Sequence, residues 1–514
     1  MQNEKEAMVI GENKSNRNLQ STPKPRLQQI NRQQLILRTV DVEQLVPDDH
    51  EVRAIWEFVG RLDLSCYYED IKSVDGVAGR ERTDPRLLIS LWIYSYAEGI
   101  SSGREITRLC DYHPAYQWLT GMKPVNYHTL TDFRVNHKEA LDKLFTEVLG
   151  LLSAEGLISL QRIMHDGTKV KAYAGSDSFR HEDRVRKHLE MARQQVAKMG
   201  DPQTAEEVSP KVATARQRAA RERQQRLETA LEELQKIRAI KAGASAKANA
   251  RVSESDPECR IMKQGNGGYA PSYNVQISTD TAAGVIVGVG VTQAAVDYEE
   301  LVPAVECIEN NCGQKPDQMV TDGGYTSRSN IIELDRRGVD YIGSMEDGEE
   351  QVAAQMNRRG VDSAFHPRAF RYDAATDIYI CPCNKTLRYK SKEQRPGRSN
   401  YKYRANATDC QSCSSKDKCC PDNAVKGRTI VKGVDNPVVS AFKEKMQTKE
   451  AKQIYKQRGG VAEFTNAWIK DKIGLRQFCL QGLIKAGMET VWACLTYNIQ
   501  QWIRLKWRVQ SAEM

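Results

Sequence analysis

Apolar positions along the chain follow two different periods, with two long stretches that follow neither. From Thr83-Asp84-Pro85 the pattern predicts a helix, with Asp84 as N-cap, Pro85 at the first helical position, and Leu87, Leu88, Leu91, Trp92 and Tyr94 on a broad apolar face. Further short helices are expected to about residue 152. The period then changes. Residues 160–170 have strand character, and residues 273–278 and 285–291 alternate on either side of Asp280-Thr281-Ala282-Ala283-Gly284, as a hairpin does. A helix over 299–310, a strand over 318–322, a helix near 329–336 and a strand over 341–344 follow. Strand, strand, strand, helix, strand, helix, strand is the order of a mixed five-stranded α/β sheet.

The two exceptions interrupt that sheet. Residues 176–250 consist of Arg, Lys, Glu, Gln and Ala with sparse Leu, Val and Met, which predicts a charged, solvated helical hairpin turning near Gly200-Asp201-Pro202. Arg216, Arg218, Arg221, Arg223 and Arg226 cluster within it. Residues 351–432 are basic and rich in cysteine, and loop-rich by expectation. The chain thus divides into a polar arm lacking an apolar period (1–45, expected disordered), a helical region (46–152), two sheet segments (153–175 and 251–350) separated by the hairpin, the Cys-rich insertion, and a closing helical part (433–514). No internal repeat is present.

Composition narrows the class. With 514 residues, 40% hydrophobic and 28% charged, and a mean hydropathy of -0.60, the chain is a globular protein with several domains and no run able to span a membrane. Its opening, MQNEKEAMVIGENKSNRNLQ, lacks the basic start and apolar stretch of a secretory signal, so a cytoplasmic location is expected. In that compartment the 13 cysteines are core residues or metal ligands rather than a disulfide framework. The net charge of +8 matters because of where the basic residues gather.

Two acids sit where chemistry is expected. Asp166 is placed at the end of the first strand and Asp322 at the end of the fourth, neighbours in the inferred sheet order, so their carboxylates are expected to meet. Such a pair suits Mg²⁺ or Mn²⁺, hard ions that prefer oxygen ligands. Two of them about 3.5 to 4 Å apart can activate an attacking oxygen and stabilise a leaving one. A third carboxylate is expected from elsewhere, and Glu463 is the candidate. Lys470 follows seven residues later on nearly the same helical face, Arg458 suits bidentate phosphate binding, and Tyr455 suits a hydrogen bond or stacking contact near a DNA end.

Two further segments bear on nucleic acid. Residues 126–134 read as a turn feeding a helix capped by Thr129, which either belongs to an ordinary bundle or presents Arg134, Asn136, His137 and Lys138 to DNA. In the Cys-rich stretch, Cys381-Pro382-Cys383, Cys410-Gln411-Ser412-Cys413 and Cys419-Cys420 flank Lys385, Arg388, Lys390, Lys392, Arg395, Arg398, Lys402 and Arg404. A structural Zn²⁺ held by Cys381, Cys410, Cys413 and Cys419, with Cys383 and Cys420 as substitutes, is the expected use of the thiols; a reduced surface cluster is the alternative. Cys66, Cys110, Cys307, Cys479 and Cys494 are expected in the core.

Taken together, Asp166-Gly167-Thr168-Lys169, Thr321-Asp322-Gly323-Gly324-Tyr325, and Tyr455-x2-Arg458…Glu463-x6-Lys470 resemble the motifs of a bacterial insertion-sequence transposase of the DDE type, over roughly residues 40 to 510. One departure stands out: four residues separate Arg458 from Glu463 where the better-known signature has three. The resemblance implies an RNase H-like catalytic domain preceded by an all-α DNA-binding domain. It also implies hydrolysis at the element's ends and attack of the freed 3′-hydroxyl on target DNA. Asp166, Asp322 and Glu463 would hold two Mg²⁺ ions, and Tyr455, Arg458 and Lys470 would orient phosphates, with Thr168, Lys169 and Tyr325 as second-rank candidates. The implied partners are double-stranded DNA, as terminal inverted repeats and target, and a second copy of the chain on that DNA. The rival is a domesticated, non-catalytic DNA-binding protein derived from a transposase.

Overall fold

The computed structural model describes residues 31–35, 37–69, 71–73, 81–200, 209–345, 348–421 and 426–513. Most of the expected disordered arm, and the expected hairpin turn after Gly200, lie outside the described residues. Described residues before Glu43 carry no helix or strand, and a single 3-10 turn occupies Glu43–Leu45.

From Glu51 to Ala154 the chain is helical, as its apolar spacing predicts. Asp84 caps the Pro85–Ala97 helix, accepting the N–H of Arg86, and Pro85 is its first residue. The helix expected to start at Thr129 instead spans Tyr127–Asn136, and its cap is Asn126, whose side chain accepts the N–H of His128 at 2.8 Å. Arg134 is not available to DNA. It is buried, donating to the carbonyl of Ser101 at 2.8 Å with its guanidinium over the Trp92 ring, and the fully buried Glu489 faces it with the opposite charge.

Glu489 belongs to the helix Leu483–Trp502, which joins the parts of the molecule. That helix packs on Pro85–Ala97, on Lys138–Ala154 and on the sheet, so the N-terminal helices and the sheet share one apolar core. Phe58 meets Trp502 ring to ring at 4.8 Å, and the Trp502 indole donates to Glu155 at 2.7 Å. In the middle of the helix, Asn498 accepts the N–H of Ile286 and donates to its carbonyl, both at 2.8 Å, pairing a strand residue whose own ladder is broken by a bulge.

Strands are numbered here in chain order. β1 (Arg162–Lys171) is central; β2 (Phe179–Arg180) and β3 (Val252–Ser253) pair with each other at the base of the helical insertion; β4 (Arg260–Lys263), β5 (Tyr269–Asp280), β6 (Ile286–Thr292), β7 (Gln318–Thr321) and β8 (Asp340–Gly343) complete the main sheet. Its order is β6-β5-β1-β7-β8. β5 runs antiparallel to β1 and β6, while β7 and β8 continue parallel to β1. Six strands are present rather than the expected five, because β4 returns from the insertion and pairs with the start of β5 on the edge that β6 occupies farther along. β1 also runs past Asp166 instead of ending there. Its pairing with β5 continues to Lys171, beyond which Phe478 donates to the Lys171 carbonyl and the Gly474–Phe478 segment lies alongside.

The insertion is the hairpin its composition predicts. Glu182–Gly200 packs on Pro210–Ile240, and the sparse apolar residues Val185, Leu189, Leu227 and Leu234 form a small core between them. The Cys-rich segment is not loop-rich. Its strands β9 (Arg371–Asp373), β10 (Ile378–Ile380), β11 (Thr386–Arg395), β12 (Arg398–Ala405) and β13 (Thr429–Asp435) form a separate antiparallel sheet in sequential order, and β13 crosses the expected boundary at residue 432. Of the cysteines expected in the core, Cys110 and Cys494 are buried, Cys66 and Cys307 are half-buried, and Cys479 is exposed, with its sulfur 3.2 Å from the Ser101 hydroxyl. No described helix is long and apolar enough to cross a membrane.

Removing the Asn498 carboxamide leaves both backbone groups of Ile286 buried and unpaired. Asn498→Ala should cost about 2–4 kcal/mol of stability in denaturant unfolding; a loss below about 0.5 kcal/mol would show that the helix does not depend on this contact.

Candidate active site

The register of β1 on β7 decides where the aspartates go. Met164 pairs with Val320 in parallel, so Asp166 and Asp322 each lie two residues further on, on the same face of the sheet. Asp322 follows the last residue of β7 and accepts the N–H of Gly324 at 2.8 Å, folding its loop into a tight turn. Asp166 accepts the N–H of Gly167 at 3.0 Å and the side-chain amide of Asn466 at 3.1 Å. Burial pushes the Asp166 carboxyl up to about 6; the nearby Asp322 adds to the rise and Arg458 opposes it.

Helices from the C-terminal part cover that face. Ala451, Ile454 and Ala462 pack on Met164, Val320 and Ile342, with the ring of Tyr455 partly buried against the same cluster. Arg458 lies between two acids: one guanidinium nitrogen is 3.6 Å from Asp166 and the other 3.0 Å from Glu463. The Glu463 side chain is 60% exposed while that of Arg458 is 18% exposed, so the arginine reaches from the sheet surface toward the rim.

The extra residue between Arg458 and Glu463 has a structural form. Gly459–Glu463 is a single π-helical turn, followed by the α-helix Phe464–Asp471. An α-helix brings residues four apart onto one face, whereas a π turn does so for residues five apart, and the spacing of this chain is five. The inserted residue is thus absorbed without turning Glu463 away from Arg458. Lys470 is half-buried one helix face further on, where burial and the neighbouring Arg476 and Lys169 hold its ammonium below the usual lysine range against the pull of Asp471 and Asp166.

Behind the acids, on the other face of β1, lies a buried polar layer. His165 is hydrogen-bonded to Ser278 at 2.8 Å and to the Gln276 carbonyl oxygen at 2.9 Å; the same oxygen accepts from Tyr325 at 2.5 Å. The Gln276 amide donates to Asp297 at 2.9 Å, and Asp297 also meets Asn274 at 2.6 Å and Lys169 at 3.3 Å. Because the Gln276 oxygen can only accept, His165 carries its proton on Nε2 and accepts from Ser278 on Nδ1. Burial keeps it neutral, with its pKa lowered to about 4. A Cβ on Gly167 would stand 2.7 Å from both Gln276 and Tyr325, which is why glycine follows the aspartate.

The donors around Asp166 are carboxylate and amide oxygens, the set that hard divalent ions take. The Asn466 carbonyl oxygen beside them is buried and has no hydrogen-bond partner. That chemistry fits Mg²⁺ or Mn²⁺. The geometry is not closed, since among the described residues no three His, Cys, Asp or Glu side chains stand together as a metal-holding group. Asn466 and Asp297 were missed in the sequence. Asn466 had a signal, its place three residues after Glu463 on the same helical face; Asp297, in a loop after β6, had none.

Family models match two stretches of the chain. One described as a transposase DDE domain matches residues 380–503, taking in the Cys-rich segment, Arg458, Glu463 and Lys470. One described as a transposase domain, DUF772, matches residues 40–136 in the N-terminal helices. No curated protein matches the chain. Among solved structures it is similar to a cryo-EM structure of the piggyBac transposase synaptic complex with hairpin DNA, at 8% identity over 89% of this chain and 81% of that one, with a TM-score of 0.24, a likeness too slight to bear on the fold. The chain thus carries matches to two transposase domains, one of them of the DDE type, in its C-terminal and N-terminal parts.

Proposed function

We propose that this transposase cuts DNA at terminal inverted repeats and joins the freed 3′-hydroxyl to target DNA, with Asp166, Asp322 and Glu463 holding two Mg²⁺ or Mn²⁺ ions. The observation that carries the reading is the meeting of the three motifs: parallel register sets Asp166 beside Asp322, and Arg458 ties Glu463 to Asp166 across the π turn. The strand order β6-β5-β1-β7-β8, with the first aspartate on the central strand, supports an RNase H-like catalytic domain.

The ions would activate water and stabilise the departing oxygen. The protein's own groups do the rest. Asn466 fixes the Asp166 carboxylate from one side while its unpaired oxygen faces the same region. Arg458 neutralises Asp166 and Glu463 in the absence of DNA and is placed to turn to a phosphate, and Lys470 adds a second cation on the same helix. Tyr455, packed beneath them, positions the segment from which Arg458 projects. In the buried layer behind Asp166, His165 stays neutral, and the hydrogen bonds that link it through Gln276 to Asp297 hold β1 in place beneath the acid. DNA is the expected partner, bound by two copies of the chain, since joining two element ends requires two active sites.

Asp166→Ala, Asp322→Ala and Glu463→Ala should each abolish Mg²⁺-dependent cleavage of terminal-repeat DNA with binding in a gel-shift assay largely kept. Cleavage surviving in any one of them would remove that residue from the site. Stability should move in the opposite direction. An aspartate with a folded pKa of about 6 against about 3.9 unfolded binds more protons folded than unfolded, so its ionised form weakens the fold above pH 6. In EDTA, Asp166→Asn should therefore be more stable than the parent by about 3 kcal/mol above pH 7, with the gap closing as pH falls from 6 to 4. A gap independent of pH would contradict the assignment.

A further inference from the structure

We infer that the separate β9–β13 sheet carries a structural zinc site, with Cys381, Cys410, Cys413 and Cys419 as thiolate ligands and the buried Arg428 guanidinium as its counter-cation. The site shares no residue with the acidic centre, so its test is independent of the transposase reading. Four observations converge on it.

The first is convergence of thiols. Cys381 and Cys383 come from the turn after β10, Cys410 and Cys413 from the short helix after β12 and the turn beyond it, and Cys419 and Cys420 from the next helical turn; all six line one cavity of about 30 Å³. None is in a disulfide. The second is the backbone around two of the sulfurs. The N–H of Lys385 donates to Cys381 Sγ at 3.2 Å and the N–H of Arg428 to Cys410 Sγ at 3.4 Å. Hydrogen bonds donated to sulfur favour the thiolate, the form that binds a metal. The first of these turns closes through Asn384, whose φ of +57° lets the chain wrap around Cys381.

The third observation is an imbalance of charge. Arg428 is 8% exposed, and its bonds to described residues go to the carbonyls of Cys419 at 3.2 Å and Phe365 at 3.0 Å and to the Met356 sulfur at 3.8 Å, all uncharged, while Nε has no partner. Among the described residues Lys385, Lys416 and Arg428 line the cavity against the single carboxylate of Asp409, and a buried guanidinium with so little opposite charge near it is costly. Four thiolates on a divalent ion leave a net dianion, which supplies that charge. The fourth is the size of the core. Among the described residues its core cluster has Phe370, Leu387, Tyr403, Ala405 and Ile430 as its buried hydrophobics, too few to hold a five-stranded sheet by burial alone.

Soft thiolates and a small closed cavity favour zinc over the hard ions of the acidic site. Among the described residues no three of these thiols already stand together as a metal-holding group, so binding the ion would require χ1 rotation of the cysteines. Cys381, Cys410, Cys413 and Cys419 come from three separate turns and enclose the cavity. Cys383 is in side-chain hydrogen-bond contact with Cys413, and the Cys420 sulfur lies 3.9 Å from that of Cys419, so each is assigned as the second thiol of its pair, an assignment the variants below test.

The test is metal content of the full-length protein, purified under reducing conditions, loaded with zinc and dialysed. About one zinc per chain is expected by elemental analysis. Cys410→Ser with Cys413→Ser should lose it and expose the segment 371–435 to proteolysis, whereas Cys383→Ser with Cys420→Ser should keep it. Zinc retained in the first double variant, or lost in the second, would overturn the ligand set. Should the first variant fail to fold, Co²⁺ loaded into the parent chain decides: thiolate-to-cobalt charge transfer with tetrahedral absorption supports the site. An oxygen-ligated octahedral spectrum, or Cys383–Cys413 and Cys419–Cys420 disulfides found by mass spectrometry in place of metal, would overturn it.

Discussion

The parallel pairing of β1 with β7 is the constraint on which the candidate site depends. Three paired positions set the two aspartates on one face, and a slip by one residue would send Asp322 to the opposite face, behind the sheet. That register is held from both sides. On one face Met164, Val320 and Ile342 are buried under the helices that carry Arg458 and Glu463, and on the other His165, Gln276, Tyr325 and Asp297 form a hydrogen-bonded layer. The acids are thus supported by apolar packing on their own side and by polar packing behind them.

Charge at this site is left deliberately unbalanced. Asp166 is buried beside Asp322, and one arginine is shared between it and Glu463. Under the proposed function, acids in a partly dry setting would be strong ligands for a divalent ion, at a cost to stability of the kind that functional sites carry.

Much of this was legible in the sequence, and the failures have physical causes. The Asp-Gly and Asp-Gly-Gly motifs could be read because glycine is required there by close approach: Gly167 by Gln276 and Tyr325, Gly324 by the Asp322 carboxylate itself. Strand ends were harder, since β1 continues past Asp166 through residues that look like a turn locally and are held extended only by β5. Arg134 reads as a solvent-facing cation because its partners, Trp92 and Glu489, are distant in sequence. The five-stranded Cys-rich sheet escaped because β11, with Lys, Arg, Glu and Gln on both faces, has almost no apolar alternation. The one-residue excess between Arg458 and Glu463 was visible, yet only the π turn explains why it is harmless.

The proposed function requires Asp166, Asp322 and Glu463 to form one metal centre. Anomalous diffraction from crystals of the full chain soaked in Mn²⁺ tests it most directly. The account requires manganese peaks bounded by these three carboxylates, with the Arg458 guanidinium withdrawn from between Asp166 and Glu463. Manganese bound elsewhere, or an unaltered Arg458 bridge at saturating Mn²⁺, would contradict it.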